Sequence, residues 1–283
     1  MLVIPERRIS RTDSAELPRL GQINFVNCLP IVVPMKRNDW NAQAEVFYAT
    51  PSELNHAFAS EKLDIGAMSS FHFLKDGTMK LVDGLAIASD GAVASVMCHS
   101  KKPLEQLNGA RVAVPLSSAT SVNLLQVLLK EAFNVIPELV YREAPNVELE
   151  DMDAALVIGD QALRAEMAWD KKLVRADLGE WWRIITGLPM VFGLWAARSE
   201  WAVKNADSFT AISETLRAAV QCGLGPMFED VVQEGCTRTG MSHERIVKYF
   251  KRDLDFRMTP RHLEGLALYG KLCQKHNLFQ SEP

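Results

Sequence analysis

No stretch of apolar residues in this 283-residue chain reaches the roughly 18 that cross a bilayer. The longest candidates, 85–96 and 190–197, contain Asp90 or are too short. Neither sign of charge is in excess: 31 Lys and Arg stand against 35 Asp and Glu, and the sequence pI is about 5.9. A nucleic-acid binder carries a basic excess or stripe, and a protein held on anionic lipid carries polybasic segments. Neither a nucleic-acid nor a membrane partner is therefore expected. Cysteine is sparse: Cys28, Cys98, Cys222, Cys236 and Cys273 are odd in number and widely spaced. They form no C-x-x-C and no Cys/His pair at zinc-ligand spacing. Reduced, buried thiols in a cytoplasmic protein, with no metal, are the expectation. No P-loop, no G-x-G-x-x-G after a strand and no G-x-S-x-G is present, so nucleotide-cofactor and serine-hydrolase chemistry lack support. The composition is 48% hydrophobic and 23% charged, which is globular and excludes disorder as the dominant state. Its length suffices for two domains. Residues 1–18 mix Glu6, Arg7, Arg8, Arg11, Asp13 and Glu16 without the apolar core of a signal peptide, and read as a flexible leader.

Short apolar runs alternate with amphipathic helical patterns. Strands are expected at 19–26, 44–49, 63–68, 85–88, 92–99, 111–115, 138–142, 154–158, 173–176 and 190–197. Thr50-Pro51-Ser52-Glu53 is a helix start, with Thr as N-cap, Pro first and Glu third. A short helix is expected at 101–108. The run 118–133 places apolar residues at 122, 124, 125, 128, 129 and 132, a 3.6-residue period. Residues 180–185 read as helical, and after Ser199 the pattern is all helix, with Pro260 opening the last one. Strands separated by helices imply parallel sheets. Two such units joined by extended segments, near 94–101 and 195–199, imply two lobes with a cleft between them.

Ligands of open α/β sheets bind beyond the carboxyl ends of strands. There the sequence places Asn27, Ser69-Ser70, Ser95, Ser118 with Thr120 and Ser121, Gly159-Asp160, and Thr186-Gly187. Hydroxyls, amides and backbone N–H groups at helix starts favour anions, and a small dicarboxylate would suit two lobes that each offer such groups. The same residues also cap helices without binding anything. Asp64 reads as a residue that caps or orients a loop. No His, Lys or Cys sits beside a partner base. His72 fits a structural or rim role, and Trp181, Trp182 and Trp195 read as core or as a pocket wall.

Gly21-Gln22-Ile23-Asn24-Phe25-Val26-Asn27-Cys28-Leu29-Pro30 resembles the opening motif of the menaquinone-biosynthesis chorismate dehydratases. Five further blocks follow in that family's order. They are Pro51–Asn55 with Leu63–Ser70, then Gly84–Ser89 with Val93–Val96, then Ser118–Ser121, Ile158–Leu163 and Thr186–Phe192. The resemblance spans residues 19–200, and the helical tail agrees in character only. Gln22 departs from it, where an aromatic or aliphatic residue is expected, as does Phe25, where Tyr is common. It implies an α/β fold of two lobes like the type II periplasmic binding proteins, mostly parallel sheets with flanking helices and a helical C-terminal segment. Lobe 1 would comprise 19–98 and 196–283, and lobe 2 99–195. It further implies a hydro-lyase that converts chorismate to 3-(1-carboxyvinyloxy)benzoate on the futalosine route, with no cofactor. Asn27 and Ser95 would be catalytic, and Ser69, Ser70, Ser118, Thr120, Ser121, Gly159, Asp160, Thr186 and Gly187 would bind substrate. Arg198 and Arg111 are the cations considered for the second carboxylate. Two alternatives share the scaffold: a solute-binding protein for a small anion, and the sister enzyme 1,4-dihydroxy-6-naphthoate synthase, which uses a histidine base. Monomer and homodimer both remain open.

Overall fold

The computed structural model describes residues 17–37, 43–168 and 170–280. The leader expected at 1–18 therefore falls, except for Leu17 and Pro18, outside the described residues. Strand β1 (Arg19–Ile23) leads through a 3₁₀ turn, Val26–Cys28, into α1 (Leu29–Arg37). Then come β2 (Glu45–Ala49), α2 (Pro51–Ala59), β3 (Ile65–Ser69), α3 (Ser70–Asp76) and β4 (Met79–Ser89). The chain crosses to a second sheet with β5 (Val96–Ser100), β6 (Arg111–Pro115), α4 (Ala119–Phe133), β7 (Glu138–Arg142), β8 (Ala154–Ile158), α5 (Gly159–Ala168), β9 (Val174–Asp177) and α6 (Leu178–Thr186). It returns through β10 (Met190–Arg198) and ends in α7 (Ser199–Lys204), α8 (Ala206–Leu224), α9 (Phe228–Thr239), α10 (His243–Lys248) and α11 (Pro260–Lys275).

The first sheet has the order β2-β1-β3-β10-β4 and the second β7-β6-β8-β5-β9. In each, four strands point one way and one is reversed. The reversed strand is β10 in the first sheet, antiparallel to β3 and β4, and β5 in the second, antiparallel to β8 and β9. Each reversed strand is the first one after a crossing, so the chain enters each sheet against the direction of its neighbours. These memberships move the lobe boundaries. β5 already belongs to the second sheet at Val96, and β10 to the first from Met190. The crossings are thus 90–95 and 187–189, not 94–101 and 195–199.

Local chemistry explains several elements. Thr50 accepts from the Glu53 N–H and Glu53 accepts from the Thr50 N–H, the reciprocal capping box expected for α2. Helix α1 was not expected, because its sequence LPIVVPMKR holds Pro30 and Pro34. Pro30 sits in the first turn, where its missing N–H is unused. Pro34 withholds the bond that would occupy the Pro30 carbonyl, and burial of every residue from Leu29 to Met35 outweighs the loss. The helix expected at 101–108 is only a 3₁₀ turn, Leu104–Gln106. Residues 255–256 bond to Ala86 and Ala88 of β4 at 2.7–3.0 Å and cover the sheet's free edge. Among the described residues no helix is long and apolar enough to cross a membrane.

At the end of the first sheet remote from the other lobe, Asp64 joins three strands. It accepts from Arg19 N–H, Nε and Nη2, and from Arg198 Nη2, at 2.8–3.0 Å. Burial alone would raise its carboxyl pKa, but the bonds from Arg19 and Arg198 outweigh that and lower it. A carboxyl lowered by folding adds stability above its ordinary pKa near 4, and loses it as pH falls through the folded value. Asp64→Asn is expected to remove about 2 kcal/mol at neutral pH. The gap between its urea midpoint and that of the parent should close below about pH 4; a gap that stays constant to pH 3 contradicts the assignment.

Candidate active site

Five helices open onto one cavity between the lobes. Asn27 lies in the 3₁₀ turn before α1, Pro51 is the first residue of α2 and Ser69 caps α3. From the other lobe come Ser118, the cap of α4, Ser121 in its first turn, and Gly159, the first residue of α5. All six line the cavity, which is partly open to solvent. Ser95, from the first crossing, lines it too. The remaining wall is apolar, with Phe25, Met68, Ile87, Ile158 and Phe192 among its members, and among the described residues no lining residue carries an ionisable side chain. The positive ends of the helix dipoles and the wall's hydroxyl and amide groups are thus what the cavity presents to a carboxylate. Apolar faces suit a flat ring.

Asn27 Oδ1 is buried and has no hydrogen-bond partner. An orphaned amide oxygen costs stability unless a ligand meets it, and Asn27 is one of the residues that line the cavity. Ser69 Oγ accepts from the His72 N–H at 3.2 Å and from Asn55 Nδ2 at 3.3 Å, which leaves its own proton unassigned. The Ser118 and Ser121 hydroxyls are bonded to each other at 2.9 Å. Gly159 sits at φ +58, and a Cβ there would rest on the Phe25 ring at 3.6 Å. The crossing that carries Ser95 is strained. Ala94 has φ +60, and the Ser95 N–H bonds back to the Val93 carbonyl at 2.7 Å, a γ-turn about Ala94. Asp177, the cap of α6, holds it by accepting from the Val93 and Ala94 N–H groups at 3.0 and 2.6 Å.

Other expected site residues are elsewhere. Ser70 is buried with its hydroxyl unpartnered but is not on the wall. Thr186 turns its hydroxyl to the Trp182 carbonyl at 2.8 Å, and Gly187 ends α6 at φ +72. Both finish a helix and neither faces the cavity. Thr120 and Asp160 join the lobes. Thr120 Oγ1 accepts from the Phe71 N–H at the start of α3 (3.1 Å), and Asp160 Oδ1 from the Val26 N–H at the start of the Asn27 turn (2.9 Å). In both bonds a side chain of the second lobe caps a helix start of the first, so both residues act as latches beside the cavity. The double variant Thr120→Val/Asp160→Ala removes two closing bonds of about 1 kcal/mol each. It is expected to raise KM by about tenfold or more with a smaller change in kcat; a fall in kcat at constant KM would contradict the latch.

The cations considered for a second carboxylate are committed to other partners. Arg198 pairs with Asp64 at 2.9 Å and Glu61 at 3.3 Å, and Arg111 with Asp151 at 3.0 Å. Neither lines the cavity, and neither does His72, whose pKa burial lowers. Trp182 and Trp195 are core. Trp195 Nε1 donates to Gln22 Oε1 at 3.1 Å, which explains Gln22: a fully buried amide completes the indole.

Residues 18–275 match the model of a family described as menaquinone biosynthesis. The chain belongs to the menaquinone biosynthesis family. A chorismate dehydratase of Thermus thermophilus is 32% identical over 241 residues, 80% of this chain and 85% of that protein. A 1,4-dihydroxy-6-naphtoate synthase of the same organism is 29% identical over 143 residues, half of each chain. Among solved structures, the periplasmic aliphatic sulphonate binding protein SsuA of Escherichia coli superposes with a TM-score of 0.66 at 12% identity, covering 95% of this chain and 90% of that one. That likeness shows the fold: this member of the menaquinone biosynthesis family is built as a periplasmic binding protein. It also matches the expected two-lobe α/β architecture, and the family membership makes the chain an enzyme of menaquinone biosynthesis.

Proposed function

We propose that the chain is a hydro-lyase that dehydrates chorismate to 3-(1-carboxyvinyloxy)benzoate. The observation that carries the reading is the cavity's lining: apolar on its faces, rimmed by hydroxyl, amide and helix N-terminal groups, with no ionisable wall residue among the described residues. Similarity to a chorismate dehydratase over 80% of the chain supports it. The naphthoate synthase relative matches only half the chain, and the histidine base expected of that enzyme has no counterpart on the wall.

The proposed chemistry asks little of the protein. The C3–H electron pair becomes the C3–C4 π bond, the C4–O bond breaks, and the proton and hydroxide leave as water. The ring carboxylate, conjugated to C3 through the C1–C2 double bond, delocalises the developing charge, and aromaticity of the product drives the step. Orientation and charge stabilisation are the protein's part. Ser69, Ser118, Ser121 and the Gly159 N-terminal turn would hold the carboxylates, and Asn27 and Ser95 would meet the ring's oxygens. As the wall offers no base, the enolpyruvyl carboxylate of the substrate itself would take the C3 proton. An internal base at the reacting carbon has a high effective molarity.

Proton NMR of purified protein with chorismate tests this: benzenoid resonances of the product should grow at the expense of the ring vinyl signals. Saturable binding without turnover would favour the solute-binding reading instead. The pH profile supplies a second check. With every reacting carboxylate ionised and no wall group titrating, kcat/KM should stay flat from about pH 6 to 9. A limb with a pKa between 6 and 8 would demand a protein base.

A further inference from the structure

Behind the cavity wall stands a tyrosine from the helical tail. Tyr249 opens a π-turn, Tyr249–Asp253, at the end of α10, and it is fully buried. Such turns re-aim side chains and concentrate at functional sites. Here the Tyr249 hydroxyl lies 2.9 Å from Ser95 Oγ, across 154 positions of sequence.

The direction of this bond follows from what surrounds it. Ser95 Oγ is the hydrogen-bond partner of Tyr249 among the described residues. A buried phenolic proton without an acceptor is strongly disfavoured, so Tyr249 donates and Ser95 accepts. The serine's own proton then has two destinations. The Val93 carbonyl is 3.4 Å away, at the outer limit of a hydrogen bond. The other destination is the cavity, whose wall Ser95 forms. The serine cannot shift to shorten the weaker bond, because its N–H is tied to Val93 and its carbonyl takes the Gly159 N–H, both at 2.7 Å. Burial pushes the phenol pKa far up, so Tyr249 remains a donor across the working range of pH.

We propose that Tyr249 is a positioning residue: by donating to Ser95, it turns the serine hydroxyl into a fixed hydrogen-bond donor toward an oxygen of the bound acid. The inference rests on the chorismate reading and deepens it, giving Ser95 a defined polarity and Tyr249 the task of maintaining it.

A double-mutant cycle with Tyr249→Phe and Ser95→Ala, read as kcat and KM on chorismate, tests the coupling. Tyr249→Phe keeps the ring and is expected to lower kcat/KM about tenfold, mostly through kcat. In the Ser95→Ala background it should change kcat/KM by less than about twofold, since no serine remains to orient. A tenfold loss in both backgrounds, or none in the parent, overturns the proposal. If the phenylalanine variant fails to fold, proton NMR of the parent decides. The Tyr249 hydroxyl proton should exchange slowly, show a cross-peak to the Ser95 Hβ protons, and move upfield in Ser95→Ala. Absence of that cross-peak overturns the assigned direction. Parent protein that leaves chorismate intact defeats the substrate reading alone, and the NMR result still decides the bond.

Discussion

Asn27→Ala is expected to lower kcat/KM on chorismate about a hundredfold without lowering the thermal midpoint. The two halves of the result come from one observation. Asn27 lines the cavity, and its Oδ1 is buried with no partner among the described residues. Removing an amide whose oxygen is unsatisfied relieves a desolvation penalty, so stability should hold or rise. Activity should fall, because in the proposed reaction an acceptor free at the wall fixes a hydroxyl of the bound acid, and a misplaced substrate loses about this much rate. Steady-state kinetics with a thermal scan reads both. Unchanged kcat/KM would remove Asn27 from the mechanism, and a large drop in midpoint would make it a packing residue.

Gly223→Ala is expected to be severely destabilising. A Cβ at Gly223 would lie 2.0 Å from the Pro30 carbonyl oxygen and 2.7 Å from Pro30 Cα. The contact is backbone against backbone, so no side chain can swing aside. Its cause is in the sequence: Pro34 has no N–H to occupy the Pro30 carbonyl, and α8 approaches that open position through a glycine. The added methyl forces α8 away from α1, at about 2–3 kcal/mol and a thermal midpoint about 5–10 °C lower. Because α1 begins two residues after Asn27, kcat/KM should fall as well. A midpoint within 2 °C of the parent would show that the two helices are free to separate.

Local chemistry was readable where it was short-ranged. The capping box at Thr50 and Glu53 and the strands 111–115, 138–142 and 154–158 occur as the patterns predict. Two lobes followed from strand–helix alternation. Helix α1 was hidden, because two prolines in an apolar run argue against a helix unless the whole run is buried. The crossings were misplaced, since an extended apolar stretch reads the same whether it ends one sheet or begins the next. The site was half visible. Helix-start residues mark where strands deliver the chain, so Asn27, Ser69, Ser95, Ser118, Ser121 and Gly159 reach the cavity. The same signal covers Thr120 and Asp160, whose acceptors turn to the opposite lobe's N–H groups, and nothing local separates the two uses. Tyr249 carried no signal at all, because a lone tyrosine at a helix end looks like core until Ser95 is seen beside it.

In the proposed mechanism the cleft brings no base of its own, and the substrate supplies one. The paired rates on chorismate and on its enolpyruvyl methyl ester test this directly. Chorismate should be aromatised, and the ester, whose neutral side arm cannot take the C3 proton, should react at least about a hundredfold more slowly. Equal rates on the two, or no reaction with chorismate, would contradict it.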